Sequence, residues 1–382
     1  YCLFSLLINN QIIKMKNYLN FETDIKNLEV ELEKLKDPYN QEGLSEVDTN
    51  KISKIQSEID TKLNQIYSNL DAWQTVLVAR HEDRPKSKFY IENLFEDFIP
   101  LSGDRFYGED KSVLTGFAKF EGKSVLVIGQ EKGEDLESRI EKNFGMMRPE
   151  GYRKTVRLMN LANKFNIPVI TFIDTPGAYP GVGAEERGQA EAIARSIECC
   201  MELEVPTLSI IIGEGGSGGA IALASSNKVM MLQNAIYSVI SPEGCATILW
   251  RDPKKTLEAA EAMKLSAKNL LELKIIDEII FEPAGGAHRD RNLILESIRK
   301  SISHNLIEFE SMSREEISNH RKNKFLSIGR TNSLINQSID HNSLIMKPKI
   351  FDDLIVKIFK IKKELIIGSA ILILIVLFSY LL

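Results

Sequence analysis

Only four of the 382 residues are cysteine, and none stands in a C-x-x-C pair. That excludes a zinc ribbon and a disulfide framework, so no metal is expected on this chain and its compartment reads as the reducing cytoplasm. A charge imbalance is missing too. The 48 Lys and Arg face 53 Asp and Glu, and a net charge of −5 argues against nucleic acid as a partner. The glycine run that starts at Gly213 has no Gly-Lys-Ser or Gly-Lys-Thr ending, which removes the phosphate-loop reading of that turn. The apolar stretch from Cys2 to Ile8 has neither a basic leader nor a cleavage site, so it is not a signal peptide. Histidine is scarce, five in all, and none neighbours a glycine run that could bind substrate.

What the chain does have is glycine at two strand ends. Ile210-Ile211-Ile212-Gly213-Glu214-Gly215-Gly216-Ser217-Gly218-Gly219-Ala220-Ile221 reads as a β-branched strand that stops in glycines and restarts as a small-residue helix. Glycine lets the chain turn sharply and leaves bare N–H groups at the helix start, which makes an anion hole. The device also occurs forty residues earlier, where Val169-Ile170-Thr171-Phe172-Ile173 runs into Asp174-Thr175-Pro176-Gly177-Ala178-Tyr179-Pro180-Gly181 and then a helical stretch through Cys200. Two strand–loop–helix units in succession predict an α/β fold with ligands at the carboxyl ends of its strands, so both turns face one site.

Other readings of the same residues stay open. The 213–219 turn lacks the downstream acidic residue of a dinucleotide site. Gly215-Gly216-Ser217-Gly218-Gly219 does satisfy G-x-S-x-G, so Ser217 is a candidate hydrolase nucleophile, with Asp277 and His288 in the required order. Five glycines in seven positions make that match easy by chance. Glu214, Glu243 and Tyr179 are the nearest candidates for a side-chain base, although a carboxylate in a glycine turn more often is solvated or caps a helix. Cys199 and Cys200 are adjacent in a helix, so their side chains diverge, and they and Cys245 read as buried small hydrophobes. Arg148, Arg153, Lys154 and Arg157 cluster at a helix start and could meet a ligand's phosphate, an acidic partner surface, or solvent.

Asp174-Thr175-Pro176-Gly177-Ala178-Tyr179-Pro180-Gly181, Gly213-Glu214-Gly215-Gly216-Ser217-Gly218-Gly219-Ala220, Ser238-Val239-Ile240-Ser241-Pro242-Glu243-Gly244-Cys245-Ala246 and Glu282-Pro283-Ala284-Gly285-Gly286-Ala287-His288-Arg289 together resemble the α-subunit family of bacterial acetyl-CoA carboxylase carboxyltransferases. Asn143-Phe144-Gly145-Met146, Pro149-Glu150-Gly151-Tyr152-Arg153-Lys154, Trp73-Gln74, Ala79-Arg80-His81 and Arg84-Pro85 extend the likeness from about Tyr18 to about Gly329. The resemblance implies a ClpP/crotonase-like spiral of ββα units and an α2β2 heterotetramer. Its reaction moves a carboxyl group from carboxybiotin on a biotin carboxyl carrier protein to acetyl-CoA, giving malonyl-CoA for fatty acid biosynthesis, while a separate biotin carboxylase uses the ATP. It also implies that Gly218 and Gly219 donate to the biotin ureido oxygen, that Gly215 and Gly216 shape the turn, and that Gly177, Ala178 and Tyr179 form the facing wall at the substrate. The enolate side belongs mostly to the β subunit, and the released biotin enolate serves as the base.

The rest of the chain predicts the remaining domains. Residues 1–14 read as an upstream extension, with Met15 the natural start. Over 15–85, Ile25, Leu28, Leu32 and Leu35, then Ile52, Ile55, Ile59, Leu63, Ile66 and Leu70, follow a 3-4 rhythm that predicts a helical hairpin, an ordinary packed arm or, as the resemblance implies, one that clasps the β subunit. Residues 86–312 form the carboxyltransferase domain, with a strand hairpin turning at Glu121-Gly122, a helix from Pro149 to Phe165, strands at 229–233 and 235–240, one helix at 257–273, a strand at 275–280 and a last helix at 293–312. A polar linker is expected at 313–363. Residues 364–382 are a candidate membrane span, since eighteen uncharged residues from Leu365 just cross a ~30 Å hydrocarbon core. Lys357, Lys360, Lys362 and Lys363 precede it, which would tail-anchor the enzyme on the cytoplasmic side of the inner membrane, or make the chain a membrane-bound scaffold. Read-through beyond Arg330 is the alternative.

Overall fold

The computed structural model of the protein describes residues 17–36 and 48–329. The N-terminal hairpin is present as helices Thr23–Lys36 and Thr49–Tyr67. Ile25 and Leu32 on one face Ile55, Ile59 and Leu63 on the other, positions the 3-4 rhythm selects, with Tyr67 buried beside them where the rhythm names Ile66. Val78 joins this cluster, and Arg289 donates to Glu29 at 2.6 Å and to Glu22 at 3.0 Å, which fastens the hairpin to the body.

The body is α/β with a mixed sheet. Its strands are β1 (Glu96–Pro100), β2 (Val113–Phe120), β3 (Lys123–Gln130), β4 (Val169–Thr175), β5 (Thr207–Gly216), β6 (Lys228–Leu232), β7 (Ile236–Ser238) and β8 (Glu278–Ile280). The order is β1-β2-β3-β4-β5-β6-β8, with β7 on β5. β1, β2 and β3 are antiparallel, and β2 returns as β3 through Glu121 and Gly122, both at positive φ as a two-residue hairpin turn requires. From β3 onward the pairs are parallel, connected by helices that include Pro149–Lys164 and Gln189–Glu202. Parallel strands covered on both faces need continuous apolar sequence, and β4 and β5 are buried throughout. The far end of β5 does something different. Its residues 208–211 pair with β6, but Glu214, Gly215 and Gly216 pair with β7, so the strand passes from one part of the sheet to another as it reaches the glycines.

Three expectations need correction. The single helix at 257–273 is two, Thr256–Met263 and Ala267–Glu272, because Lys264 takes a left-handed φ of 51° and Ser266 caps the second helix through the Asn269 amide. The strand at 275–280 shortens to Glu278–Ile280, since Ile275 is tied back to Leu270 and the Asp277 carboxylate accepts from the Val229 amide. The expected linker begins with a helix, Arg314–Ser327, started by a capping box between Ser313 and Glu316. Its Arg321 is fully buried and donates to Val205 O at 2.9 Å, Thr207 Oγ1 at 3.1 Å and the Leu203 carbonyl. The remaining linker, residues 1–16 and the Leu365 to Leu382 run lie outside the described residues. Among the described residues no helix is long and apolar enough to cross a membrane.

Candidate active site

The ends of β4 and β5 bring the two glycine turns together. Their pairing slips between Ile173 and Thr175, so Thr175 comes opposite Gly215. At the slip the buried Asp174 carboxylate accepts from the Glu214 amide at 3.0 Å. A Cβ at Gly213 would stand 2.5 Å from that carboxylate, so only glycine fits.

Gly216 is the extended N-cap of helix Ser217–Ala224, and no side chain caps it. Helix geometry gives the first amides no acceptor of their own, so they stay open to an external oxygen. Ser217 at the elbow has a φ of 52°, and Ser217 and Gly218 are half-buried while Gly219 and Ala220 are closed in. The facing wall is in contact. A Cβ at Gly216 would lie 2.2 Å from Pro176 O, and one at Gly219 would lie 2.6 Å from Gly177 C and 2.9 Å from Ala178 N. Thr175 steadies that wall, its hydroxyl donating to Gly177 O at 2.7 Å and accepting from the Gly177 amide at 3.2 Å. Gly215, Gly216, Gly218, Gly219, Gly177 and Ala178 are thus gathered, as the sequence predicts. Tyr179 is held by its main chain, with Met147 O accepting its amide at 3.0 Å and Gln189 Nε2 donating to its carbonyl at 3.0 Å, while Arg148 lies over its ring.

Beneath the turns runs a chain of alternating charge. Lys132 Nζ meets Asp174 at 2.8 Å and Glu214 at 3.4 Å, and Arg80 donates to Glu214 at 2.6 Å and to Glu243 at 2.7 Å. Burial pushes the Asp174 carboxyl up, but Lys132, Lys86 and the Glu214 amide outweigh it and hold it below the usual range. Burial opposes the charge on Lys132 as well, and Asp174 and Glu214 overcome it, so the amine stays protonated more tightly than an ordinary lysine. Lys86 differs. Burial drives its amine down to about 8 against the pull of Asp174, and its recorded hydrogen bond goes to His81 O at 3.4 Å.

These contacts decide among the open readings. Both oxygens of Glu214 are ion-paired, so it is not a free base, and Glu243 is paired with Arg80 through Oε1. Asp277 is engaged by the Val229 amide and Lys324, and His288 stacks flat on His81 at 4.0 Å, where burial takes its ring to about 2. Neither is hydrogen-bonded to Ser217, which leaves that elbow without a triad. Burial pushes the Cys199 and Cys200 thiols up to about 12, so they pack and do not attack. The basic cluster is consumed inside the fold. Lys154 donates to Asp110 O and Val113 O, Arg153 pairs with Asp104 at 2.8 Å, and Arg157 donates to Gly103 O at 2.9 Å. No group of three or more His, Cys, Asp or Glu among the described residues is placed to hold a metal.

Sequence reasoning gave no role to Lys132, Arg80 or Gln130. Arg80 lies 134 residues from Glu214, and nothing local marks the pair. Asp174 at the end of a buried strand was the available signal, since a buried carboxylate requires a cation nearby.

Residues 18–329 match the family model described as acetyl co-enzyme A carboxylase carboxyltransferase-like. The chain is 76% identical over 360 residues to the acetyl-coenzyme A carboxylase carboxyl transferase subunit alpha of Pelagibacter ubique (strain HTCC1062), covering 94% of this chain and 98% of that protein. It is 52% identical over 318 residues to the subunit of that name from Mesorhizobium japonicum (strain LMG 29417 / CECT 9101 / MAFF 303099), covering 83% of this chain and all of that protein. Among solved structures, transcarboxylase 12S with methylmalonyl-coenzyme A and methylmalonic acid bound aligns with a TM-score of 0.49 at 19% identity, covering 60% of this chain and 44% of that one. The chain belongs to the acetyl co-enzyme A carboxylase carboxyltransferase-like family.

Proposed function

We propose that this carboxyltransferase α subunit uses the 213–219 turn as an oxyanion hole for carboxyl transfer from biotin to acetyl-CoA. The observation that carries the reading is an uncapped helix start at the carboxyl end of two buried parallel strands, with Gly218 half-open and Gly219 locked against Gly177. When a carboxyl group leaves biotin, negative charge grows on the ureido oxygen. Gly218 and Gly219 amides aimed at that oxygen stabilise the charge without being protonated themselves. Gly215 and Gly216 supply the sharp turn, and Gly177 and Ala178 close the opposite side. The ion chain of Lys132, Asp174, Glu214, Arg80 and Glu243 holds the turns from behind. The branching of β5 between β6 and β7 supports a crotonase-like spiral. The acetyl-CoA side, the α2β2 assembly with the β subunit, and docking of the biotin carboxyl carrier protein and biotin carboxylase belong to the same proposal. So does a cytoplasmic location, which three buried free thiols suit.

The direct check is malonyl-CoA decarboxylation in the presence of biocytin. The chain with its β subunit is expected to catalyse it, the chain alone is not, and a serine-reactive phosphonate is expected to change nothing. Phosphonate-sensitive hydrolysis by the chain alone would replace the carboxyl-transfer reading with the Ser217 one.

Membrane attachment through residues 365–382 is part of the proposal and rests on sequence. The 360 residues aligned with the Pelagibacter subunit exceed the 312 positions of 18–329 by 48, and only 17 residues precede position 18. Some of them therefore follow position 329, so the likeness to that subunit runs past the family match. Fractionation of cells making the full chain is expected to put it in the membrane pellet until detergent is added. Full-length protein confined to the soluble pool would end the proposal.

A further inference from the structure

Two buried carboxamides hold the two walls of the site, and each leaves one oxygen without a partner. Gln130, the last residue of β3, is wholly buried and donates from Nε2 to Gly219 O at 2.8 Å and to Met147 Sδ at 3.4 Å. Gln189 opens helix Gln189–Glu202 and donates from Nε2 to Met147 O at 2.9 Å and Tyr179 O at 3.0 Å. Oε1 of each is buried with no hydrogen-bond partner. Met147 lies between them, fully buried, and its carbonyl also accepts the Tyr179 amide.

A buried carboxamide oxygen without a donor is a net loss on folding, and an apolar side chain of the same length would avoid it. The loss is explained by what Nε2 does. Gly219 has no Cβ to restrict it, and its carbonyl sits in the first helical turn, one residue past the half-open Gly218. Clamping that carbonyl from β3 fixes the Gly219–Ala220 peptide plane directly, and through the helical φ and ψ at Gly219 it restrains the Gly219 amide on the other side of the same Cα. We propose that Gln130 is a positioning residue that holds the first turn of this helix and with it the aim of the Gly219 amide, with Gln189 performing the matching task on the Tyr179 wall. This rests on the oxyanion-hole reading above, and it assigns to Gln130 preorganisation, not substrate contact.

The test uses the complex with the β subunit and biocytin. Gln130→Met fills the same space and removes both the clamp and the orphaned oxygen. Its melting temperature is expected to equal or exceed that of the parent, and its KM for malonyl-CoA to stay within about twofold while kcat falls about tenfold or more. Amide hydrogen exchange at residues 218–220 is expected to quicken with no other region changed. Gln130→Glu is the second variant. Its carboxyl donates to Gly219 O only while protonated, so its kcat relative to the parent is expected to fall as pH rises. A kcat close to that of the parent, or a loss of kcat that only follows a lost melting temperature, overturns the proposal. Gly219→Val run alongside separates the two ideas. If it abolishes activity while Gln130→Met does not, the clamp is wrong and the oxyanion hole stands; if it too leaves activity intact, the hole itself is wrong.

Discussion

Gly219→Val, assembled with its β subunit, is expected to lose malonyl-CoA decarboxylation by about a hundredfold or more, the scale set by removing an oxyanion donor. The reason is steric before it is chemical. A Cβ there would stand 2.6 Å from Gly177 C, 2.8 Å from Gly177 O and 2.9 Å from Ala178 N, and all three are main-chain atoms that cannot swing aside. Gly177 O is moreover held by the Thr175 hydroxyl, so the wall resists retreat and the helix start has to move. Even a displacement of about an ångström takes the amides out of hydrogen-bond range of the developing oxyanion. Gly219→Ala carries the same Cβ with less bulk and serves where valine prevents folding. Gly218→Ala is the matched control for stability, since its Cβ would meet only Ile193, at 3.5 Å, an ordinary contact. The expected pattern is a normal melting temperature for Gly218→Ala and an activity collapse for both Gly219 variants. Activity near that of the parent in Gly219→Ala and Gly219→Val would remove the turn from the mechanism.

What the sequence discloses follows from how local each signal is. Ile25, Leu32, Ile55, Ile59 and Leu63 announce the hairpin because amphipathic spacing is written within one helix, and they are buried as the spacing demands. Glu121-Gly122 announces its turn for the same reason. The 213–219 and 174–181 turns are legible as strand-to-helix elbows, and a glycine-rich elbow is itself the site's framework. Helix Arg314–Ser327 escapes, because only Ile317 among its apolar residues is buried and it docks through the Arg321 guanidinium on main-chain carbonyls. Apolar periodicity cannot register such an attachment, although the Ser313 and Glu316 capping box was in view. The break at Lys264 escapes because a lysine in the left-handed region carries no local mark. The ion chain beneath the turns escapes by sequence distance. Arg80, Lys132, Asp174, Glu214 and Glu243 come from five separate segments, and their charges are intelligible only once the sheet has brought them together.

Arg84→Met is expected to be the most destabilising single replacement in the body, by about 3–5 kcal/mol. The Arg84 and Glu282 side chains are 1% and 0% exposed, and two nearly parallel hydrogen bonds of 2.6 and 2.9 Å join them. Burial works against the guanidinium's charge, and Glu282 more than restores it, so the arginine is held above its ordinary value. Methionine copies the length of the stem and none of the charge, and Glu282 is then a carboxylate in the interior with no cation. Its other partners, the Asn234 and Ala287 amides at 2.9 and 2.8 Å, are dipoles and do not replace a full charge. Arg84 also donates to Ile212 O at 2.6 Å, immediately before the glycine turn, so its loss frees the end of β5 together with the loop that carries His288 and Arg289. Urea unfolding of the purified chain measures the effect as a lowered midpoint at unchanged slope. Pairing the change with Glu282→Gln removes the stranded charge and leaves one oxygen, which accepts from one of the Asn234 and Ala287 amides that now bond separate oxygens. The double variant is therefore expected to regain part of the loss. A single variant as stable as the parent, or a double variant less stable than the single one, would mean that the ion pair is not what joins these segments.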